Sequence, residues 1–311
     1  MGNKDITDFN EAQLRKRAAS KEELNICLTN NYAFQKIFKN EEIVKGFLIA
    51  LLHLKETDIE ELEVTDPFVE GEVKEEKEGI LDVKLILNGG KKINIEMQNT
   101  YQEDWAERSL FYNCRMFTEG LKKGESYYEL PPCIYVGILD FNYLKSPGFY
   151  HRILLKDDTT GELYSSKFQF HVIELSKIAT TKGKARKQDL YKWAKLISAS
   201  TWEEIREESE GNHYMEKVRD EMIKMSRDES ERYLYLREQM AIRDKESQLR
   251  SAENRGRREG REEGRKQGEV LKLITMVKKK IENGDSVAKI ADDLLEDADV
   301  IEKIYDIVKE N

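Results

Sequence analysis

Two runs of alternating residues around an Asn-Gly-Gly turn constrain this chain more than any other stretch. In the first, Glu78-Gly79-Ile80-Leu81-Asp82-Val83-Lys84 and its continuation, Leu81, Val83 and Leu85 fall on one side of a strand. Asp82, Lys84 and Ile86 fall on the other. In the second, Lys92 to Gln98, Ile93, Ile95 and Met97 oppose Asn94, Glu96 and Gln98. Asn88-Gly89-Gly90 between them supplies the positive-φ residues of a tight hairpin. Folding the hairpin brings Asp82 and Glu96 together on one face, with Lys84 and Gln98 beside them. Two carboxylates side by side on a half-buried sheet repel unless a cation or a proton sits between them. The pattern therefore predicts a divalent-metal site on Asp82 and Glu96. A hairpin whose polar side is merely solvated is the competing reading.

Periodicity supplies the surrounding elements. Ala33, Phe34, Ile37 and Phe38, then Val44, Phe47, Leu48, Leu51 and Leu52, recur at helical spacing and predict one or two buried helices. Residues 58–72 read as a first strand and a loop. Residues 104–121 read as a helix with Trp105, Arg108, Tyr112 and Arg115 on one side and Leu110, Cys114 and Phe117 on another. Ile134 to Leu139 is wholly apolar and of strand length, as a central strand would be. Phe168 to Leu175 alternates like another strand.

At 311 residues the chain is long enough for one medium domain plus an extension, or for two domains. Charged residues make up 36% and mean hydropathy is -0.71, low for one compact globule, so a solvated helical segment is expected. A net charge of -9 argues against a protein that coats nucleic acid with its whole surface, but leaves room for a local cationic groove. Cys27, Cys114 and Cys133 show no paired spacing, and the four histidines no zinc pattern. Reduced thiols and a cytoplasmic location are the economical reading. No signal peptide opens the chain, and the apolar run around Val44 to Leu54 is too short to span a bilayer.

Beyond about residue 200 the texture changes. Thr201-Trp202-Glu203-Glu204 has the form of a helix N-terminal capping box. Residues 214–253 are charge-dense and free of proline. Then Gly256, Gly260, Gly264 and Gly268 recur at intervals of four among arginines. On a helix they form a nearly straight ridge, each glycine costing roughly 1 kcal/mol relative to alanine. A partner backbone approaching the ridge would offset that cost, which predicts a homodimer; a flexible linker is the alternative. Val270 to Ile281 is amphipathic, Asp285-Ser286 caps a short helix, and residues 298–308 supply another.

The hairpin resembles the core of the PD-(D/E)xK nuclease superfamily, an Asp on one strand and a Glu-x-Lys on the next. The nearer likeness is to its recombination-promoting nuclease and transposase branch, where the second motif is typically Glu-x-Gln, as in Glu96-Met97-Gln98. Tyr32 to Phe38, Glu107 to Tyr112, Lys123 to Leu130 and Ile173 to Lys177 follow the same order, so the resemblance spans roughly residues 25–200. One departure stands out: Asn30-Asn31 occupies a place where this branch commonly carries an acid.

The resemblance implies an α/β fold with a restriction-endonuclease-like core, a mixed sheet flanked by helices, and an α-helical C-terminal extension. The expected organisation is a polar arm at 1–23, a nuclease-like domain at 24–200, a charged helical segment at 201–268 and a small helical region at 269–311. It implies a Mg²⁺-dependent DNA endonuclease, with Mn²⁺ as substitute, associated with recombination or mobile elements. A weakened nucleic-acid-binding or oligomerisation protein keeping the same fold is the alternative. Asp82 and Glu96 would be metal ligands, since hard oxygen donors suit Mg²⁺. Gln98 stands in the usual lysine place, where an amide can orient water but cannot act as a base. Lys84 could supply the missing cation or be an ordinary strand lysine. Arg108 and Tyr112, one helical turn apart, could clamp a substrate phosphate. Alternatively, Tyr112 packs in the core and Arg108 turns to a carboxylate such as Asp104. Glu41 and Glu42 are weaker candidates for a third acidic ligand.

Overall fold

The computed structural model of the chain describes residues 24–65, 68–69, 79–80, 82–88, 90–119, 124 and 126–310. The expected N-terminal arm, Glu78, Leu81 and Gly89 of the expected hairpin, and the start of the Lys123 to Leu130 block lie outside these residues. The chain divides into two compact units after Met240.

The first unit is built on a six-stranded mixed sheet of order β1-β4-β5-β6-β8-β7. Its strands are β1 (Leu62–Thr65), β4 (Val83–Leu87), β5 (Lys91–Gln98), β6 (Cys133–Leu139), β7 (Tyr150–Lys156) and β8 (Leu163–Glu174). β2 (Phe68–Val69) and β3 (Gly79–Ile80) form a separate two-stranded sheet. β4 pairs antiparallel with β5, β5 and β8 run parallel to β6 on either side, and β7 closes the far edge antiparallel to β8. β6 is buried along its whole length, as its continuous apolar sequence requires of a strand covered on both faces.

The turn between β4 and β5 follows the expected chemistry. Asn88 has φ 34° and Gly90 φ 99°, the left-handed region that Asn and Gly tolerate best. Asn88 also accepts N–H bonds from Glu60 (2.9 Å) and Glu61 (3.1 Å), which ties the turn to the start of β1. Strand β4 begins at Val83, two residues after Leu81, where the alternation starts. Gly79 and Ile80 belong to the small sheet, and Asp82 lies in a bend just before β4.

Helices cover both faces. On one side α1 (Asn31–Phe38), α2 (Glu41–Leu52), α4 (Asp189–Ser198), α5 (Trp202–Ser209) and α6 (His213–Arg227) build the main core. There Phe34, Phe38, Phe47 and Trp193 meet Val83, Ile95, Met97 and Val136 from the sheet. α5 starts at the expected capping box, with Thr201 and Glu204 exchanging bonds with the backbone. Trp202, Ile205, Met215, Val218 and Met222 belong to this same core, so it extends past residue 200, where the charge texture places a domain boundary. On the other face α3 (Trp105–Thr118) covers a smaller core of Trp105, Tyr112, Tyr135, Leu139, Phe170 and Val172.

α7 (Glu229–Glu282) carries the glycine repeat, and an added Cβ would meet nothing within 4 Å at Gly256, Gly260, Gly264 or Gly268. In the second unit α8 (Val287–Leu294), capped by Ser286, and α9 (Ala298–Glu310) enclose a small core of Val277, Ile290, Ala291 and Ile301. Among the described residues no helix is long and apolar enough to cross a membrane.

A buried carboxylate pair under helix α3

The alternation in β5 decides what faces what. Ile93, Ile95 and Met97 enter the main core, so Asn94, Glu96 and Gln98 turn toward α3. Glu96 is 1% exposed, and its carboxylate is held from three directions. Asn94 Nδ2 donates to Oε1 at 3.0 Å, while Gln98 Nε2 (3.3 Å) and the Tyr135 hydroxyl (2.5 Å) donate to Oε2. Gly137 lies across the ladder from Glu96, and a Cβ there would collide with the Trp105 indole. The glycine thus lets α3 settle close above the carboxylate.

Asp82 reaches the site from the bend before β4. The Met97 N–H donates to Oδ2 at 2.8 Å and Gln35 Nε2, from α1, to Oδ1 at 2.9 Å. Val83 lies across the ladder from Ile95, so Asp82 precedes the position facing Glu96's neighbour and the two carboxyl groups share one environment. Burial, and then the charge of Glu96, push the Asp82 carboxyl up to about 7. Burial also raises Glu96, against the pull of Tyr135, Arg108, Asn94 and Gln98. Each group favours a proton, or a cation, over a bare negative charge.

The donor set fits a hard divalent ion. A carboxylate offers about four acceptor positions; Asp82 has filled two and Glu96 three, leaving oxygen lone pairs on both. Among the described residues no cluster of three or more His, Cys, Asp or Glu side chains could hold a metal. A two-carboxylate set could contribute part of the oxygen shell of such an ion, with water completing it.

Arg108 on α3 lies close enough for its charge to lower both Asp82 and Glu96. Its guanidinium carbon sits 5.2 Å from the centre of the Tyr112 ring, and its buried Nε has no hydrogen-bond partner. Tyr112 is 9% exposed and packs in the smaller core, so its ring supports Arg108 from below. Gln98 sits on Glu96 as described. Lys84 is not brought to the pair. Its ammonium lies 2.8 Å from Glu119 just past the end of α3, beside Lys92, which donates to the Met116 carbonyl at 3.0 Å. The C-terminal carbonyls of α3 and Glu119 offer those lysines a nearer negative partner. Glu42 is not at the site either, since it pairs with His213 (2.5 Å) and Lys217 (3.4 Å) on α6. Asn30 caps α1 through its bond from the Ala33 N–H, and Asn31 Oδ1 is buried without a partner.

Gln35, Asn94 and Tyr135 complete the shell without having been singled out in the sequence. Asn94 was legible from its alternation with Glu96. Gln35 was a polar residue inside an apolar helix, a signal that gives no partner. Tyr135 was hidden inside the apolar run of β6.

A mixed sheet with helices on both faces, and an Asp and a Glu-x-Gln meeting beneath one helix, define a restriction-endonuclease-like α/β fold of the PD-(D/E)xK class. The chain matches the model of the PD-(D/E)XK nuclease family transposases over residues 28–252 and belongs to that family. No curated protein and no solved structure shows significant similarity to it.

Proposed function

We propose that the chain is a Mg²⁺-dependent DNA endonuclease, with Mn²⁺ as a substitute, that hydrolyses phosphodiester bonds with an activated water. The observation that carries this reading is the buried Asp82–Glu96 pair, whose carboxyl groups are pushed toward protonation and still keep free oxygen lone pairs. Asp82 and Glu96 would hold the ion. Bound there, it would polarise a phosphoryl oxygen and lower the pKa of a water, worth several kcal/mol in the transition state. Gln98, whose amide already donates to Glu96, keeps a second N–H that would be able to orient a water. Arg108, with an unpartnered buried Nε, receives a non-bridging phosphate oxygen, and Tyr112 fixes the guanidinium from beneath. Lys84, paired with Glu119 at 2.8 Å, stands apart from this chemistry.

The chain acts as a homodimer through the glycine-repeat helix, in the cytoplasm, on DNA connected with recombination or mobile elements. The engagement of Lys84 by Glu119 favours a second reading, a weakened nucleic-acid-binding or oligomerisation protein that keeps the fold. Incubation with supercoiled plasmid decides between them. The parental chain should nick it with Mg²⁺ and not with EDTA, and Asp82→Asn and Glu96→Gln should each abolish nicking while remaining folded. Equal nicking by parent and both variants would refute the assignment.

A further inference from the structure

We infer that Tyr101 is a stacking platform for an unpaired nucleobase beside the cut, which makes DNA with an unpaired nucleotide at that place the preferred substrate class. The identity of the neighbouring site rests on the nuclease reading above. β5 and β6 run parallel and end together, with Gln98 opposite Leu139 and the Asp140 N–H bonded to the Gln98 carbonyl at 2.9 Å. Ligands of open α/β sheets gather outside the carboxyl ends of such strands. Tyr101 lies three residues past Gln98 and is 58% exposed. It lies five positions past Glu96, at most about 18 Å of extended chain, a span that a short run of single strand covers.

The ring is backed on its inner side. It meets Phe141 edge to face at 5.4 Å and Tyr143 at 6.3 Å, and Tyr143 meets Trp105 at 5.1 Å, against the α3 roof of the carboxylate site. The loop carrying Phe141 and Tyr143 is pinned from below by a buried ion pair. Glu174 accepts the backbone N–H groups of Tyr143 (2.6 Å) and Leu144 (3.1 Å). Lys177 donates to Glu174 at 2.6 Å and to the Leu144 and Ser146 carbonyls. The Glu174 to Lys177 block, which takes no part in holding the metal, thereby acquires a positioning role. Tyr143 also accepts the Ala106 N–H at 3.3 Å, which locks the loop to the start of α3. A ring immobilised in advance loses little freedom when a base lies on it. Bases inside a duplex have both faces covered by their neighbours, so only an unpaired or extruded base can use it. The exposed Tyr127 and Tyr128 precede β6, at the opposite end of the sheet, and cannot serve the same site.

The test uses the full chain and oligonucleotides carrying 2-aminopurine a few nucleotides from one end. The same labelled strand is presented single-stranded, as an unpaired flap and in intact duplex. Binding is measured in EDTA, and again with Mg²⁺ on the Asp82→Asn background. The parental chain should quench the probe in the single strand and the flap but not in the duplex. Tyr101→Ala should lose the quench and bind unpaired DNA roughly five- to hundredfold more weakly, with duplex binding unchanged. Tyr101→Phe should keep both, because stacking needs the ring and not the hydroxyl. The proposal is overturned if Tyr101→Ala binds unpaired strands as the parent does, if it loses duplex and unpaired binding equally, or if the parent binds no unpaired DNA. A chain that cleaves nothing but shows the Tyr101-dependent quench would sink the nuclease reading alone. One that cleaves duplex with Tyr101→Ala unaffected would sink the platform alone.

Discussion

Gln35 donates its side-chain amide to Asp82 Oδ1 at 2.9 Å, across 47 positions of sequence, and so ties helix α1 to the carboxylate that precedes β4. The bond leaves Asp82 one free lone pair on that oxygen and sets the direction in which it points. Partners that orient a metal ligand typically matter 10–100-fold in metal affinity. Gln35→Ala should therefore raise the Mg²⁺ concentration needed for half-maximal nicking by about tenfold or more, with little change in the rate at saturating ion. Gln35→Glu would place a third negative charge against Asp82 and should move the whole pH profile to the alkaline side. A Gln35→Ala chain with the parental Mg²⁺ dependence would remove Gln35 from the site.

The raised Asp82 carboxyl has a consequence for stability in the absence of metal. Its folded-state value of about 7 lies above the ordinary one near 3.9, so between these limits the fold holds a proton that the unfolded chain has released. The contribution is fully present below about pH 4, is lost as pH rises toward 7, and is level above that. It should amount to a few kcal/mol, at ~1.4 kcal/mol per unit. Metal-free melts of the parent should fall across this window relative to Asp82→Asn, which cannot ionise. Mg²⁺ should restore the parent more at pH 8 than at pH 5.5, and should leave Asp82→Asn unchanged. Parallel pH curves for the two chains would contradict the assignment.

How far the site was legible in the sequence depends on the range of each contact. Glu96, Asn94 and Gln98 share a face because strands alternate with a period of two, and the Asn-Gly-Gly turn sets the pairing, so that side of the site could be read directly. The alternation carries Asp82 inside the strand, whereas the strand starts at Val83 and Asp82 lies in the bend before it. The Gln35 and Tyr135 bonds depend on how α1 and β6 pack, which no local pattern encodes. Lys84 shares the face of the carboxylates, and the alternation alone places it beside them. Facing one way does not fix where a long side chain ends, and Glu119 captured it. The core past residue 200 was masked by composition: α5 and α6 bury narrow stripes such as Ile205, Met215, Val218 and Met222 beneath densely charged outer faces. No apolar alternation marks strand β7, whose residues are mostly exposed on the sheet edge.

Lys84 and Gln98 can be separated by substitution. Lys84→Met breaks an ion pair whose other member, Glu119, is partly open to water and can be solvated. Nicking should fall by less than tenfold, that is by under about 1.4 kcal/mol in the barrier. Gln98→Lys puts an ammonium beside Glu96, favours its ionised form, and should retain or raise the rate. A tenfold or larger loss in Lys84→Met, at unchanged melting temperature, would move Lys84 into the chemistry.

Gly137 carries the closest approach at the site, because an added Cβ would strike the Trp105 indole. The indole is 3% exposed and hemmed in by Tyr135 and Tyr143, so it cannot swing aside freely. Gly137→Ala should destabilise the fold by about 1–3 kcal/mol, as overpacking does, and shift the tryptophan emission. Gly148→Ala, whose Cβ would make only ordinary contacts, should do neither and serves as the control. Normal stability in Gly137→Ala would mean that α3 can lift off the sheet without cost.

The glycine ridge of α7 makes the last prediction. Gly256, Gly260, Gly264 and Gly268 leave a strip of bare backbone with open space beside every one of them. Along it Arg265 pairs with Glu262 at 2.6 Å and Glu269 at 2.7 Å, and Arg257 with Glu253 at 3.4 Å. Such exposed i,i+3 and i,i+4 pairs add only about 0.2–0.5 kcal/mol each, against roughly 1 kcal/mol lost at each glycine. The local balance is unfavourable, and close packing of a second α7 on the ridge would offset it. Light scattering should give a dimer mass for the parental chain at tens of micromolar. Replacing Gly260 and Gly264 by leucine raises intrinsic helicity while blocking the approach, so helix content by circular dichroism should hold or rise as the dimer dissociates. A monomeric parent, or a double leucine variant that dimerises as well, would return the segment to a solvated spacer.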